Sequence, residues 1–247
     1  MSSDERQAQI AEAVCGLARA EAAPVAVRHI CAVCETTLDA SGVAVFLTSR
    51  YLRVEPAYAT SAAAAALAET QAVSGDGPAW DCLAGAHEVV TEDLDDPKQQ
   101  RRWPLFARAA LRAGVRFALA VPVLAYGVPV AVLSTHRHQP GGLRAGHRQD
   151  ARQFAALIRD LLLANTAASP QADDEDHPVD RFFAGRLRAR WARVHQAAGM
   201  MIASQHATDA TEALLRLRAT AFALDRTLPE VADDMLTSTH RYRPGHR

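Results

Sequence analysis

The chain has 247 residues, a formal net charge of −1 and 49% hydrophobic residues, enough for the cores of two modest domains. Four cysteines at this length exclude a disulfide-built scaffold, and the near-neutral balance excludes a uniformly cationic nucleic-acid binder. Alanine and arginine dominate and Lys98 is the only lysine, a coding bias that lowers the weight of arginine abundance as a functional sign.

The charged start, Met-Ser-Ser-Asp-Glu-Arg, lacks the apolar core of a leader, so the chain reads as cytoplasmic. Gln7 to Arg19 and Val25 to Leu38 read as helices, and Ser41 to Thr48 and Leu52 to Tyr58 as strands. Ala62 to Glu69 is helical, and Gly75-Asp-Gly-Pro is a turn leading into a short helix through Trp80 and Cys82. His87 to Thr91 is a strand ending in an acidic loop, and Trp103 to Ala113 is a helix. Phe117 to Thr135 is uncharged and nearly long enough to span a membrane, but Pro122, Gly127 and Pro129 make it a hairpin of two strands. Arg148 to Asn165 is a final amphipathic helix. Paired strands between helices at both ends predict an α+β sandwich over residues 5–165.

Several residues invite a chemical reading. Cys31-x-x-Cys34 falls on one face of a helix without a second pair or a preceding strand, so two buried thiols are expected rather than a zinc or redox site. His136 and His138 share a strand face and read as a surface pair. Cys82 beside Trp80 is either a packed thiol or a sensing one. No nucleophile elbow, P-loop or dinucleotide fingerprint occurs, so a non-enzymatic chain without a metal site is expected, and nothing names a cofactor.

Gly75-x-Gly77-Pro78-x-x-Asp81, Trp103-Pro-x-Phe106, Gly114-Val115, Pro122 and Gly127 to Leu133 together resemble the GAF sensory domain over about 140 residues. That resemblance implies an α+β GAF sandwich, an antiparallel sheet with helices, which senses a small molecule or a redox signal or mediates dimer contacts. Its cleft would be lined by Phe46, Trp80, Cys82, Trp103, Phe106 and Val121, with Asp81 or Ser134 at the rim. A ligand site predicts a pocket of a few hundred Å³ there. A filled core predicts no void much larger than water.

Residues 166–180 form an acidic linker with two prolines. Its run Asp173-Asp-Glu-Asp is either plainly solvated or a pseudo-ligand that masks the arginines that follow.

From Arg181 to Thr208 there are five arginines and no acidic residue. Leu187, Trp191, Val194, Ala198 and Met201 are spaced 4, 3, 4, 3, a coiled-coil-like seam beside a ridge of Arg186, Arg190 and Arg193. The small residues Ala197, Ala198 and Gly199 would let another helix approach closely. Asp209-x-x-Glu212 and Thr227-x-x-Glu230 are capping boxes that open two further helices, completing a small all-α three-helix bundle over residues 181–243.

Val194-His-Gln-Ala-Ala-Gly-Met-Met, Glu212-Ala-Leu-Leu-Arg-Leu-Arg and Arg226-Thr-Leu-Pro-Glu-Val-Ala resemble the ANTAR domain, a three-helix RNA-binding module of transcription antiterminators. GAF followed by ANTAR recurs in actinobacterial antitermination regulators. The resemblance implies binding of structured RNA, antiterminator hairpins, through Arg186, Arg190, Arg193, Gln196, Ala197, Gly199, Arg216 and Arg218. Ala198 stands where the family usually has lysine, which keeps open an alternative: a dimeric sensory or protein-interaction module that has lost RNA binding. The seam predicts a homodimer, because a lone helix would expose Trp191 and Met201. A small-molecule ligand in the sandwich and no membrane contact complete the expected partners.

Overall fold

The computed structural model describes residues 3–48, 54–168, 186–224 and 226–241. Helices α1 (Ser3–Ala20) and α2 (Val27–Thr37) lead into β1 (Gly42–Leu47) and β2 (Glu55–Ala59). Then come α3 (Ala62–Ser74), α4 (Pro78–Gly85), β3 (Val89–Thr91), α5 (Pro97–Arg102) and α6 (Pro104–Arg112). The hairpin β4 (Phe117–Ala125) and β5 (Val128–Arg137) precedes α7 (His147–Ala168). The C-terminal helices are α8 (Arg186–Ala203), α9 (Ala210–Ala223) and α10 (Leu228–Arg241).

The strands form one antiparallel sheet in the order β2-β1-β5-β4-β3. The uncharged stretch is the expected hairpin, closed by Tyr126 and Gly127, which both take positive φ. A two-residue turn of that kind follows the right-handed twist of its strands, and glycine at the second position takes it without a Cβ penalty. Among the described residues no helix is long and apolar enough to cross a membrane.

Strand alternation divides the sandwich into two cores. Phe117, Leu119, Val121 and Val123 of β4 meet Ile10 and Val14 of α1, Ile30 of α2, and Phe154 and Ile158 of α7. Ala118 and Ala120 turn to the other face, where Phe46, Leu67, Cys82, Trp103 and Phe106 pack. The alanines let the large rings of α4 to α6 lie close to the sheet. A third core joins Trp191, Val194, Ala197, Ala198 and Met201 of α8 to Leu214 and Leu217 of α9, and to Leu228, Val231 and Ala232 of α10. Ala72 of α3 belongs to this core, so the bundle is docked on the sandwich.

Thr227 and Glu230 form a complete capping box, each side chain accepting from the other's N–H. Asp209 caps α9 by accepting from the Glu212 N–H (2.8 Å), but Glu212 reaches back past the cap to the N–H and hydroxyl of Thr208.

Some expectations change. The acidic loop after β3 contains α5, started by Pro97 and capped by Asp96, which accepts from Lys98 N–H (2.8 Å). Helix α3 extends beyond Glu69 to Ser74 and ends at the left-handed Gly75. His136 is buried rather than on the surface, while His138 is exposed and its ring bonds the Gly114 carbonyl. Leu52, Arg53, residues 169–180 with the acidic run, Arg181 and the tail from 242 lie outside the described residues.

Candidate functional site

The glycine-rich turn between α3 and α4 organises one face of the sandwich. Gly77 takes φ +121, and a Cβ there would meet the Gln71 side chain at 2.6 Å. Gln71 is buried and its amide oxygen accepts from Ala79 N–H (2.9 Å), which fixes the start of α4. Asp76, carried on the same turn, accepts from the N–H groups of Leu105 (3.0 Å) and Phe106 (3.1 Å). Trp103 at the start of α6 offers no side-chain cap, so Asp76 supplies it from a distance. Asp81 accepts from the Trp103 indole N–H (3.0 Å) and from Arg102 Nε (2.7 Å).

Trp80, Cys82, Trp103, Phe106 and Phe46 lie together on one side of the sheet, with Asp81 bonded to the Trp103 indole. Val121 is not among them: its side chain belongs to the opposite core, because it keeps the strand parity of Phe117 and Leu119. Ser134 of β5 pairs across with Ala44 and Ala120 and is half-buried. Phe46, Cys82, Trp103 and Phe106 are between 0% and 3% exposed, and the Trp103 and Phe106 rings meet edge to face at 6.4 Å. They pack as a core. Burial, with Glu88 adding to it, pushes the Cys82 thiol up to about 12, so it is not a thiolate at neutral pH. Cys31 and Cys34 are also buried free thiols, pushed up first by burial. Among the described residues no cluster of His, Cys, Asp or Glu has the makings of a metal site.

The second constellation lies where α8 docks on β2 and α3. Arg190 Nη1 lies 2.9 Å from Glu69 Oε1, an ion pair without hydrogen-bond alignment, and Arg190 Nη2 reaches the Thr227 hydroxyl at 3.4 Å. His195 Nε2 lies 2.9 Å from Glu55 Oε2 on β2. Both carboxylates are nearly buried, with side chains 5% and 3% exposed. Burial raises the Glu69 carboxyl above its ordinary range, Arg190 opposes the rise, and Glu230 adds to it. From α9, the Arg218 guanidinium lies 5.5 Å from the centre of the Trp80 ring, whose own N–H donates to the Gln71 carbonyl. Arg218 Nε and Nη2 are buried without a hydrogen-bond partner, and burial lowers its pKa.

The remaining ridge residues are distributed around the bundle. Arg193 is exposed and paired with Asp233, and Arg216 pairs with Glu212 at 2.6 Å. Gln196 and Gly199 are exposed, whereas Ala197 is wholly buried in the third core. A Cβ on Gly199 would meet nothing within 4 Å beyond its own helix, so the close approach comes at Ala197 and Ala198 instead. Arg186 opens α8, and its side chain lies outside the described residues. The seam was expected to need a second chain, but Trp191, Val194, Ala198 and Met201 are covered by α9, α10 and α3 of the same chain, and the Leu187 side chain lies outside the described residues. The long-range pairs Arg190 with Glu69 and His195 with Glu55 carry no local sequence signal; only the folded chain reveals them.

A family model for the GAF domain matches residues 21–162. No curated protein matches the chain. The GAF domain of an Acinetobacter phosphoenolpyruvate-protein phosphotransferase is similar at 13% identity over 70% of this chain and 100% of that one, with TM-score 0.49. A domain of a two-component sensor histidine kinase protein of Sinorhizobium meliloti is similar at 14% identity over 58% and 93%, with TM-score 0.47. The type II free methionine-R-sulfoxide reductase of Thermoplasma acidophilum is similar at 14% identity over 61% and 96%, with TM-score 0.42. The sequence match covers more than half of the chain and coincides with the antiparallel sandwich: the chain belongs to the GAF domain family.

Proposed function

We propose that the chain is a signal-responsive, non-catalytic regulator of the antiterminator type: the GAF sandwich is the input domain and the bundle binds structured RNA. The observation that carries this reading is the double use of α8. The helix that bears the arginine ridge also docks on the sensor, through Arg190 to Glu69 and His195 to Glu55. Any signal that loosens this face changes what the ridge can contact. In the released state Arg186, Arg190 and Arg193 would hold phosphates, with Arg216 and Arg218 adding to them from α9. Gln196 and the exposed backbone at Gly199 would face the bases of a hairpin loop, and Ala197 would pack behind them. Replacing Arg190 and Arg193 by Ala should weaken hairpin binding across sequences. It should also reduce the salt slope by about one or less per lost phosphate contact. Unchanged affinity and slope in the double variant would remove the ridge from the account.

One set of observations favours a second reading, a dimeric sensory or protein-interaction module. Arg190, Arg193 and Arg216 each already face a carboxylate of the chain. A shallow apolar groove between α1, α2 and α7, lined in part by Val14, Cys15, Leu157 and Leu161, offers a face for a second copy. Sedimentation at micromolar concentration beside the RNA titration separates the two: a dimer that ignores hairpins supports the second.

A further inference from the structure

A cleft of about 450 Å³ opens between the sandwich and the bundle, within the range of small-molecule sites. Glu69 and Val73 of α3 line one wall, Leu105 of α6 the rim, and Phe222, Arg226 and Glu230 the bundle side. Phe222 is 65% exposed and Leu105 39%, so the rim is apolar and open. Glu69, in contrast, is nearly buried at the back.

The charges around the cleft do not balance. Of the charged residues that line the cleft, two are carboxylates, Glu69 and Glu230, and one is a guanidinium, Arg226. Arg226 is turned towards Asp234. Arg190 approaches Glu69 from α8, and Glu69 Oε1 is left without a hydrogen bond. The Glu69 carboxylate is thus charge-paired on the α8 side but keeps acceptor capacity that a second donor could take up. The mutual repulsion of Glu69 and Glu230, one on each wall, favours a positive charge between them. The apolar rim would cover a body attached to that charge.

We propose that this cleft binds an amphipathic organic cation, an amine carrying an aromatic or aliphatic body, which bridges α3 of the sensor and α9–α10 of the bundle. The ammonium would donate to Glu69 and Glu230, and the body would lie against Phe222, Leu105 and Val73. This deepens the regulator reading and rests on it only for the consequence of binding: an occupied cleft ties the bundle to the sandwich.

The test is calorimetric titration of the full chain, without RNA, with three matched probes: tryptamine, tryptophol and indole-3-acetate. Tryptamine should bind saturably at a single site. The neutral and anionic analogues should bind about tenfold or more weakly, because each lacks the charge-assisted hydrogen bond. Glu69→Gln also removes the partner of Arg190, so Glu230→Gln and Phe222→Ala are the deciding variants. Each should weaken tryptamine severalfold with the far-ultraviolet spectrum unchanged. Equal affinity for the three probes, no binding of tryptamine at millimolar concentration, or undiminished binding in both variants would overturn the proposal. A separate hairpin titration reports on the RNA output, so failure of either reading is visible without the other.

Discussion

Trp191→Ala is the perturbation that most sharply tests how the bundle is built. Trp191 is wholly buried at the meeting of α8, α9 and α10. A buried tryptophan covers about 200 Å², and at about 25 cal/mol per Å² its removal forfeits about 5 kcal/mol. Its indole N–H has no hydrogen-bond partner, and losing that cost returns about 1–3 kcal/mol. The net loss is then about 3 kcal/mol, at the lower end for large core truncations. Trp191→Phe keeps a ring and drops the unpartnered donor, so it should cost about 1 kcal/mol or less. Urea unfolding followed by circular dichroism gives both values, and limited trypsin digestion at Arg190 and Arg193 reports where structure is lost. The bundle should loosen in the alanine variant while the sandwich transition persists. Because the seam is closed within one chain, protection of the bundle from trypsin should not depend on protein concentration. A cost below about 1 kcal/mol for Trp191→Ala, or an equal cost for both variants, would refute the packing argument. So would bundle protection that rises with concentration.

Asp76→Ala removes the remote cap of α6 and should destabilise the sandwich by about 1–2 kcal/mol in the same unfolding measurement, leaving bundle proteolysis unchanged. Burial first, and His138 second, lower the His136 pKa to about 4, so its contribution is complete above the ordinary value of 6.5 and is lost as pH falls through about 4. Acidification across that window should remove about 3 kcal/mol of stability, and His136→Asn should flatten the profile. The Glu212 carboxyl is held at about 2, first by the Thr208 hydroxyl, then by the Thr208 N–H and Arg216. Its cap on α9 should therefore hold above 4.5 and weaken as pH falls towards 2; Glu212→Gln keeps an uncharged acceptor there and should abolish that acid-induced loss of helix signal. Alkylation of the native protein should modify Cys15 well before Cys31, Cys34 or Cys82, which are wholly buried; rapid labelling of Cys82 would restore it as a sensing thiol.

Much of this architecture could be read from local pattern. Val, Leu and Phe clustered around Pro122 and Gly127 marked the hairpin, and Asp209 and Thr227 marked the starts of α9 and α10, because turns and caps are short-range chemistry. The spacing of Trp191, Val194, Ala198 and Met201 gave the apolar face of α8 correctly. It could not say what covers that face, since α3, α9 and α10 satisfy it as well as a second chain would. Helix α5 carries no such signal, because a proline followed by five polar residues shows no apolar periodicity. Val121 stands two residues from Leu119, and that strand parity assigns it to the α7 side and not to the cleft. The contacts of Glu55 and Glu69 with α8 join residues more than a hundred positions apart, and nothing near either glutamate announces a partner. The cleft beneath Phe222 is likewise a product of docking.

The double variant Glu55→Gln, Glu69→Gln tests the central claim most directly, in a fluorescence anisotropy titration of a hairpin RNA against wild type at fixed salt. Loss of two interdomain contacts worth about 0.5–1 kcal/mol each should free α8 and tighten hairpin binding by about five- to thirtyfold. The gain should vanish when Arg190→Ala and Arg193→Ala are added. Equal affinity of the double variant and wild type, or no binding of hairpin RNA by either, would contradict an RNA-binding output held on the GAF domain through α8.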